Sequence, residues 1–244
     1  MFLIIFQGEI RMSSHIQLSD NRGELIKVML EKGDKRIQLG SLESDQKMIQ
    51  QTIALLAEGG MQAVTLQAVG NRAGYSRGWV SRRYGSKEQL FIHVLNALHD
   101  WFEKIVCEAT WRQHGVNAIE SLIKALSDHC YEHSAQFKAY FWLSCLAHGG
   151  HRHLKQRLLG MRQSMAKYYT GWLKEALVLE EIARNSDIDM MADFIMSSVM
   201  GLIQTWMINP SFNLELRLKQ LAEIHLRNMF KHSHLYYSAN YWGE

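Results

Sequence analysis

Residues 65–90 read TLQAVGNRAGYSRGWVSRRYGSKEQL, and this stretch decides the fold. Thr65 is placed to N-cap a helix over Leu66–Ala73, its hydroxyl accepting from a backbone N–H that the first turn leaves unpaired. Gly74 ends that helix at a position where a positive φ is cheap only for glycine. Ser76 opens a second short helix, Arg77 to Tyr84, which Gly85 stops. Ser86-Lys87-Glu88-Gln89 then reads as a capping box, with Gln89 reaching back to the Ser86 backbone, and starts a long third helix. Two short helices joined by a tight glycine turn make a helix-turn-helix. The second carries the charge: Arg77, Arg82, Arg83 and Lys87 lie on or just after it, Arg72 precedes it, and no acid intervenes before Glu88.

A positive helix in this setting suits the phosphate-lined major groove of DNA. Arg77 and Trp79 sit early in it, where side chains meet base edges. Gly78 allows close backbone approach, and Arg82 and Arg83 reach bases or phosphates. Thr65, Ser81 and Lys87 are phosphate candidates, Lys87 at a helix N-terminus that favours anions, and Ser76 completes the set. Ordinary solvated charge is the alternative, and the capped helices on either side argue against it.

The same residues resemble the DNA-binding domain of the TetR (tetracycline-repressor) family of bacterial transcriptional regulators. The matching pattern is Thr65, Ala73-Gly74, Tyr75-Ser76-Arg77-Gly78, Val80, Tyr84, Ser86-Lys87-Glu88 and Leu90. Gly70 stands where the family usually has alanine, at a cost of about 1 kcal/mol in a helix interior. Ser81 and Arg83 also depart from residues common there, at positions that usually face phosphates. The resemblance is specific over residues 45–95 and implies a dimeric regulator, most often a repressor on a palindromic operator, released by a small molecule.

The 244-residue chain is 47% hydrophobic, enough for a sizeable core, and its single proline leaves long helices unbroken. Its net charge of +3 is modest, so the local arginine cluster carries the information. Three cysteines, Cys107, Cys130 and Cys145, do not make a disulfide framework and fit a cytoplasmic protein. No stretch reads as approaching the ~20 apolar residues of a membrane span.

The sequence divides into an N-terminal extension (1–43), a DNA-binding domain (44–92), a helical ligand-binding and dimerisation domain (93–230) and a tail (231–244). The extension reads as poorly ordered, with a helix over Glu24 to Lys32, or as a misassigned start with Met12 as the alternative. Ser44 to Glu58 is expected to form a helix closed by Gly59-Gly60. Lys87 to Ala109 should bridge the two domains. Further helices are expected over Val116–Cys130, Ser134–Ala147, His153–Leu179, Asp187–Ile208 and Leu214–Phe230. The fold class is all-α.

Trp101, Phe137, Tyr140, Phe141, Trp142, Trp172, Met196, Met200 and Trp206 are ordinary core residues one by one. Together they match the adaptable lining of an apolar effector pocket, which the resemblance implies, for an apolar effector that includes cationic compounds. Ile195, Val199 and Leu202 on one helix, with Leu218, Leu221, Ala222 and His225 on the next, form stripes read as a dimer interface. His129, Cys130 and His133, and Cys145, His148, His151 and His153, cluster without a zinc-ribbon pattern and read as solvated helix-end groups, not as a metal site. No Glu-x-x-His pair, P-loop or nucleophile elbow marks an enzyme. The reading is therefore a DNA-binding regulator with no cofactor. Its rivals are an activator or global regulator of the same fold without an effector, and a helical metal protein or enzyme.

Overall fold

The computed structural model describes residues 35–229, with side chains described from Leu42 to Glu223. The expected extension helix over 24–32, the Met12 alternative and the tail 231–244 lie outside these residues. The chain divides into two compact units, residues 1–45 and 46–244, and the site lies in the second. Among the described residues the fold is all-α. Helix α1 is Lys35–Ala63, α2 Leu66–Ala73, α3 Arg77–Tyr84, α4 Lys87–Ala109, α5 Gly115–Glu132, α6 Ser134–Leu146, α7 Arg152–Val178, α8 Ile188–Ile208 and α9 Leu214–Met229.

Helix α1 runs further in both directions than the apolar spacing of 44–58 predicts. Gly59-Gly60 does not end it. Gly60, at φ 64° and ψ −156°, breaks the helix, and a last turn continues to Ala63. A side chain at Gly60 would also collide with the Trp142 ring, 2.8 Å from its would-be Cβ, so the break lets α1 lie against α6.

Two apolar clusters organise the second unit. One gathers Met48, Leu56, Val64, Val69, Val80 and Tyr84 from α1–α3 with Leu90, Phe91, Val94, Leu95 and Leu98 of α4, and continues into Leu143, Leu154 and Met161. The other starts at Phe102 on the same helix and takes in α5, α7, α8 and α9. Helix α4 is therefore shared, its first three turns in one core and its later turns in the other. The expected boundary at 92/93 falls inside this continuous helix.

Polar contacts tie α4 to α7 along their length. His151 Nδ1 lies 3.7 Å from Glu88 Oε1, Arg157 Nε donates to Asn96 Oδ1, and the Tyr168 hydroxyl donates to Glu103 Oε2. The partners rise together in number, so the two helices run parallel. The N-terminus of α5 is capped by carboxylates from a distant segment: Val116 N donates to Glu181 Oε2 at 2.9 Å and Gly115 N to Glu175 Oε2 at 3.2 Å. Negative charge there complements the unpaired N–H groups and the helix dipole.

Helix α8 departs from expectation twice. By length and composition it could cross a membrane, at 21 residues and mean hydropathy 1.3, where the sequence reading found no such stretch. Its apolar residues occupy two faces. Met191, Ala192, Ile195, Met196, Val199 and Ile203 point into the core, while Met190, Phe194 and Ile208 stand exposed at 62%, 54% and 79%. Ile195 and Val199, expected between subunits, are thus buried within their own chain, as are Leu218 and Ala222 of α9. Leu202 and Leu221 are half-buried and pack on the same core. The His225 side chain lies outside those described. The stripe of largest apolar residues finds the core because burial within the chain selects for it first.

Candidate functional site: a basic recognition helix and a methionine-lined cavity

The turn geometry follows from the caps. Thr65 Oγ1 accepts from Ala68 N at 3.0 Å, Ser76 Oγ from Trp79 N at 3.2 Å and Ser86 Oγ from Gln89 N at 3.1 Å. Gly74 and Gly85 close their helices at φ 80° and 72°. The capping box is half made, because the Ser86 N–H bonds to Tyr84 O at 2.8 Å rather than to Gln89. Gly70 is not a tolerated weakness. A Cβ there would meet Tyr75 O at 2.7 Å and Val80 Cγ2 at 3.2 Å, so glycine lets the turn fold back onto α2 and bond Tyr75 N to Gly70 O at 2.8 Å.

Of the predicted DNA-facing residues, Arg77, Arg82 and Arg83 are exposed along α3, and nothing crowds Gly78 but Ser76 Oγ at 3.9 Å. Thr65 and Ser76 are exposed but act first as caps, and Ser81 is half-buried. Two others are engaged elsewhere. The Trp79 ring stacks on Tyr75, centroids 4.7 Å apart, and packs on the small core. The half-buried ring thereby braces the turn. Lys87 Nζ donates to Met61 O at 2.8 Å and lies 5.5 Å from the centre of the Phe91 ring. Partial burial there lowers its pKa. Lys87 thus clasps the start of α4 to the end of α1. Arg72 is held by Glu58 through two hydrogen bonds, which raises the guanidinium pKa and lowers that of the carboxyl.

Below this surface lies a largely apolar cavity of about 60 Å³. It is lined by His99 and Phe102 of α4, Leu126 of α5, Tyr140 of α6, Met161, Arg162, Met165 and Tyr169 of α7, and Met196, Val199 and Met200 of α8. Tyr140, Met196 and Met200 were expected there. Trp101, Phe137, Phe141, Trp172 and Trp206 line other parts of the fold. Trp101 and Phe137 meet edge to face at 5.4 Å, Trp172 stacks on Tyr168 at 5.7 Å, and Trp206 lies against Tyr131 at 5.2 Å. Phe141 contacts Tyr140, and Trp142 is exposed beside Gly60. Trp101, Phe137, Trp172 and Trp206 pack against neighbouring rings, while Phe141 and Trp142 border a separate open pocket with Lys138 and Met207. The sequence did carry a usable signal: Met161/Met165 and Met196/Met200 are spaced i, i+4 on neighbouring helices, so each pair presents one flexible face to the other.

Burial raises the Tyr169 phenol well above its usual range. It raises Tyr140 too, against the opposing influence of Ser144 and Arg162. Both rings are therefore neutral hydrogen-bonding groups. Among the described residues no three His, Cys, Asp or Glu side chains converge as metal ligands. His129 Nδ1 faces Ala125 O and His148 Nδ1 faces Ser144 O, each at 2.9 Å. Cys130 is buried and its thiol is pushed up to about 12, so it stays a thiol.

Residues 48–94 match the family model described as bacterial regulatory proteins, tetR family. No curated protein matches the chain by sequence. Solved structures do match it. A TetR transcriptional regulator from Chloroflexus aurantiacus is 15% identical, over 78% of this chain and 96% of that one, with a TM-score of 0.68. SmeT of Stenotrophomonas maltophilia, the repressor of the multidrug efflux pump SmeDEF, is 17% identical over 77% and 90%, at 0.64. FadR of Bacillus subtilis, in complex with stearoyl-CoA, is 15% identical over 73% and 96%, at 0.65. At these identities the likeness is one of fold.

Proposed function

We propose that the chain, whose residues 48–94 match the model of the bacterial tetR-family regulatory proteins, is a ligand-responsive transcriptional repressor of that family acting in the cytoplasm as a dimer on a palindromic operator. The observation that carries the reading is helix α4. Its first turns hold the base of the arginine helix α3, and its later turns wall the methionine cavity. A molecule that enlarged the cavity would press on His99 and Phe102 of the helix on which the recognition helix rests. That supplies the differential contact a population shift needs. The stearoyl-CoA described with FadR supports a small-molecule effector for this fold.

One recognition helix reads few base pairs, so a specific site needs two copies on a two-fold axis, with half-sites about 34–36 Å apart or at a compatible spacing. The outward stripe of α8 — Met190, Phe194, Ser197, Gly201 and Ile208 — is the face we assign to that contact. Its apolar ends and small centre let two helices approach closely, and it replaces the buried positions expected from sequence.

Selection of bound DNA from a random pool gives the operator and tests the class together. Arg77→Ala should then weaken operator binding by about 1–3 kcal/mol in gel shifts. Phe194→Glu should sediment as a monomer with weakened operator binding, whereas a full-affinity dimer would place the interface elsewhere.

A further inference from the structure

The methionine cavity does not end at Arg162. A second, open groove of about 690 Å³ begins at the same two residues, Tyr140 and Arg162, and runs towards the N-terminus of α7. Its walls differ in kind from those of the cavity. Arg162, Lys155, Arg152, His151 and His148 border it, with the Ser144 side chain among them and no Asp or Glu in the lining. An apolar chamber and a cationic mouth therefore share one threshold.

We infer that the effector is an amphipathic anion, with its acid group in the groove at Arg162 and its hydrocarbon body among Met161, Met165, Met196 and Met200. The inference rests on the proposed function and names its ligand class. The chamber is too small as it stands for a long chain. Thioether side chains with several rotatable bonds are the lining most able to give way. Arg162 is the group that meets the acid. Its bonds to Asp193 Oδ1 at 3.0 Å and Ser197 Oγ at 3.4 Å both come from Nη2. A guanidinium has five N–H donors in a planar fork, so Nε and Nη1 can serve an incoming carboxylate or phosphate without breaking the Asp193 pair. Lys155 and Arg152 stand exposed about two and three turns earlier on the same helix and add charge at the mouth. A cationic ligand would meet a lining whose charged groups are all basic, although Asp193 and Glu88 face two of them, Arg162 and His151, from outside it. The position also bears on DNA binding. His151, at the far edge of the groove, is the residue that faces Glu88 in the first turn of α4. An anion in the groove would therefore lie beside the imidazole that faces Glu88.

The test uses the full-length protein and four ten-carbon probes below their aggregation concentrations: decanoate, decyl phosphate, 1-decanol and decyltrimethylammonium. Titration calorimetry should show decanoate and decyl phosphate binding about ten-fold or more tighter than decanol, as a charge-assisted pair implies, with the cation weakest. The ranking of the two acids tells carboxylate from phosphate recognition. Arg162→Gln should erase the preference for the two anions over decanol. Because Arg162 also braces α7 to α8, Lys155→Gln is the second variant, and it should reduce the preference several-fold in a protein that keeps that brace. Equal affinity for decanol, preference for the cation, an anion preference intact in both variants, or no binding by any probe would overturn the inference. Gel shifts with the selected operator are read separately. Decanol that releases DNA without any anion preference sinks only the headgroup assignment. Anions that bind as expected yet never alter DNA binding sink the repressor reading and leave the ligand class standing.

Discussion

The helix-turn-helix and the cavity beneath it are built by opposite means. Between Thr65 and Leu90, structure is set by contacts within five residues: three hydroxyl caps, two positive-φ glycines and a turn closed onto Gly70. The side chains proposed to meet DNA, Arg77, Arg82 and Arg83, need only point outward from a helix whose ends are fixed. The cavity borrows its wall from five helices, α4 to α8, and no two neighbouring helices make it. A locally capped motif keeps its shape under load, whereas a wall assembled from five helices can deform. A regulator needs both: a rigid reader and a compliant sensor, joined by one helix common to both cores.

The largest effect expected from that contrast concerns buried charge. The helix-turn-helix keeps its ionic groups at the surface. Helix α5 of the bundle holds Glu120 only 4% exposed, and its Oε2 has no hydrogen-bond partner among the described residues. Burial pushes this carboxyl from 4.5 up to about 7. A raised carboxyl favours folding only while it is protonated. Its contribution is therefore complete below pH 4.5, declines as the unfolded chain ionises, and is gone above pH 7. At ~1.4 kcal/mol per pH unit the change amounts to about 3 kcal/mol. Glu120→Gln should stabilise the protein by that order at pH 8 and by almost nothing at pH 4. Urea denaturation at both values measures it, and a benefit independent of pH would mean that Glu120 has an ionic partner.

The next effect tests the rigid half. Helix propensity alone says Gly70→Ala should stabilise α2 by about 1 kcal/mol. The 2.7 Å approach of Tyr75 O says the methyl has nowhere to go, because the neighbour is backbone. Overpacking of this kind costs about 1–3 kcal/mol. The substitution should therefore lower the melting temperature, and a rise would show that the turn has slack. The two accounts differ in sign, which makes thermal melting decisive.

That conflict marks where the sequence could be read and where it could not. Caps, glycine stops and the outer bounds of α4 are local rules, and Thr65, Ser76, Ser86, Gly74 and Gly85 obey them. Gly70 answers to a residue five positions on, and its reason is visible only once the turn is closed. In the bundle, helical spacing identified every helix after α4 but not which face meets which. Trp101, Trp172 and Trp206, read as pocket walls, do not line the methionine cavity and pack instead against neighbouring rings. Arg162, which touches cavity and groove alike, carried no sign in the sequence to set it apart from Arg152 and Arg157, the other arginines of α7. The carboxylate caps on α5 come from Glu175 and Glu181, some sixty residues away.

The smallest effect separates two duties of one residue. As the first residue of a helix beside an arginine cluster, Lys87 reads as a phosphate contact. Removing such a contact should lower the slope of log affinity against log salt by about one. In the structure one of its three donors is occupied by Met61 O, and its charge lies near the Phe91 ring. The clasp account predicts something else for Lys87→Gln: a loss of under about 1 kcal/mol of stability, since a partly exposed hydrogen bond contributes no more, and an unchanged salt slope. Arg82→Ala is the control, because its exposed guanidinium should take about one unit of slope with it and leave stability alone. Affinity across a salt series and urea denaturation of both variants therefore form a two-by-two comparison. If Lys87→Gln lowers the slope as Arg82→Ala does, the ammonium leaves Met61 for DNA, and the joint between α1 and α4 loosens when the operator binds. If it shifts only stability, the reader stays rigid on DNA and all the compliance of the molecule lies below α4.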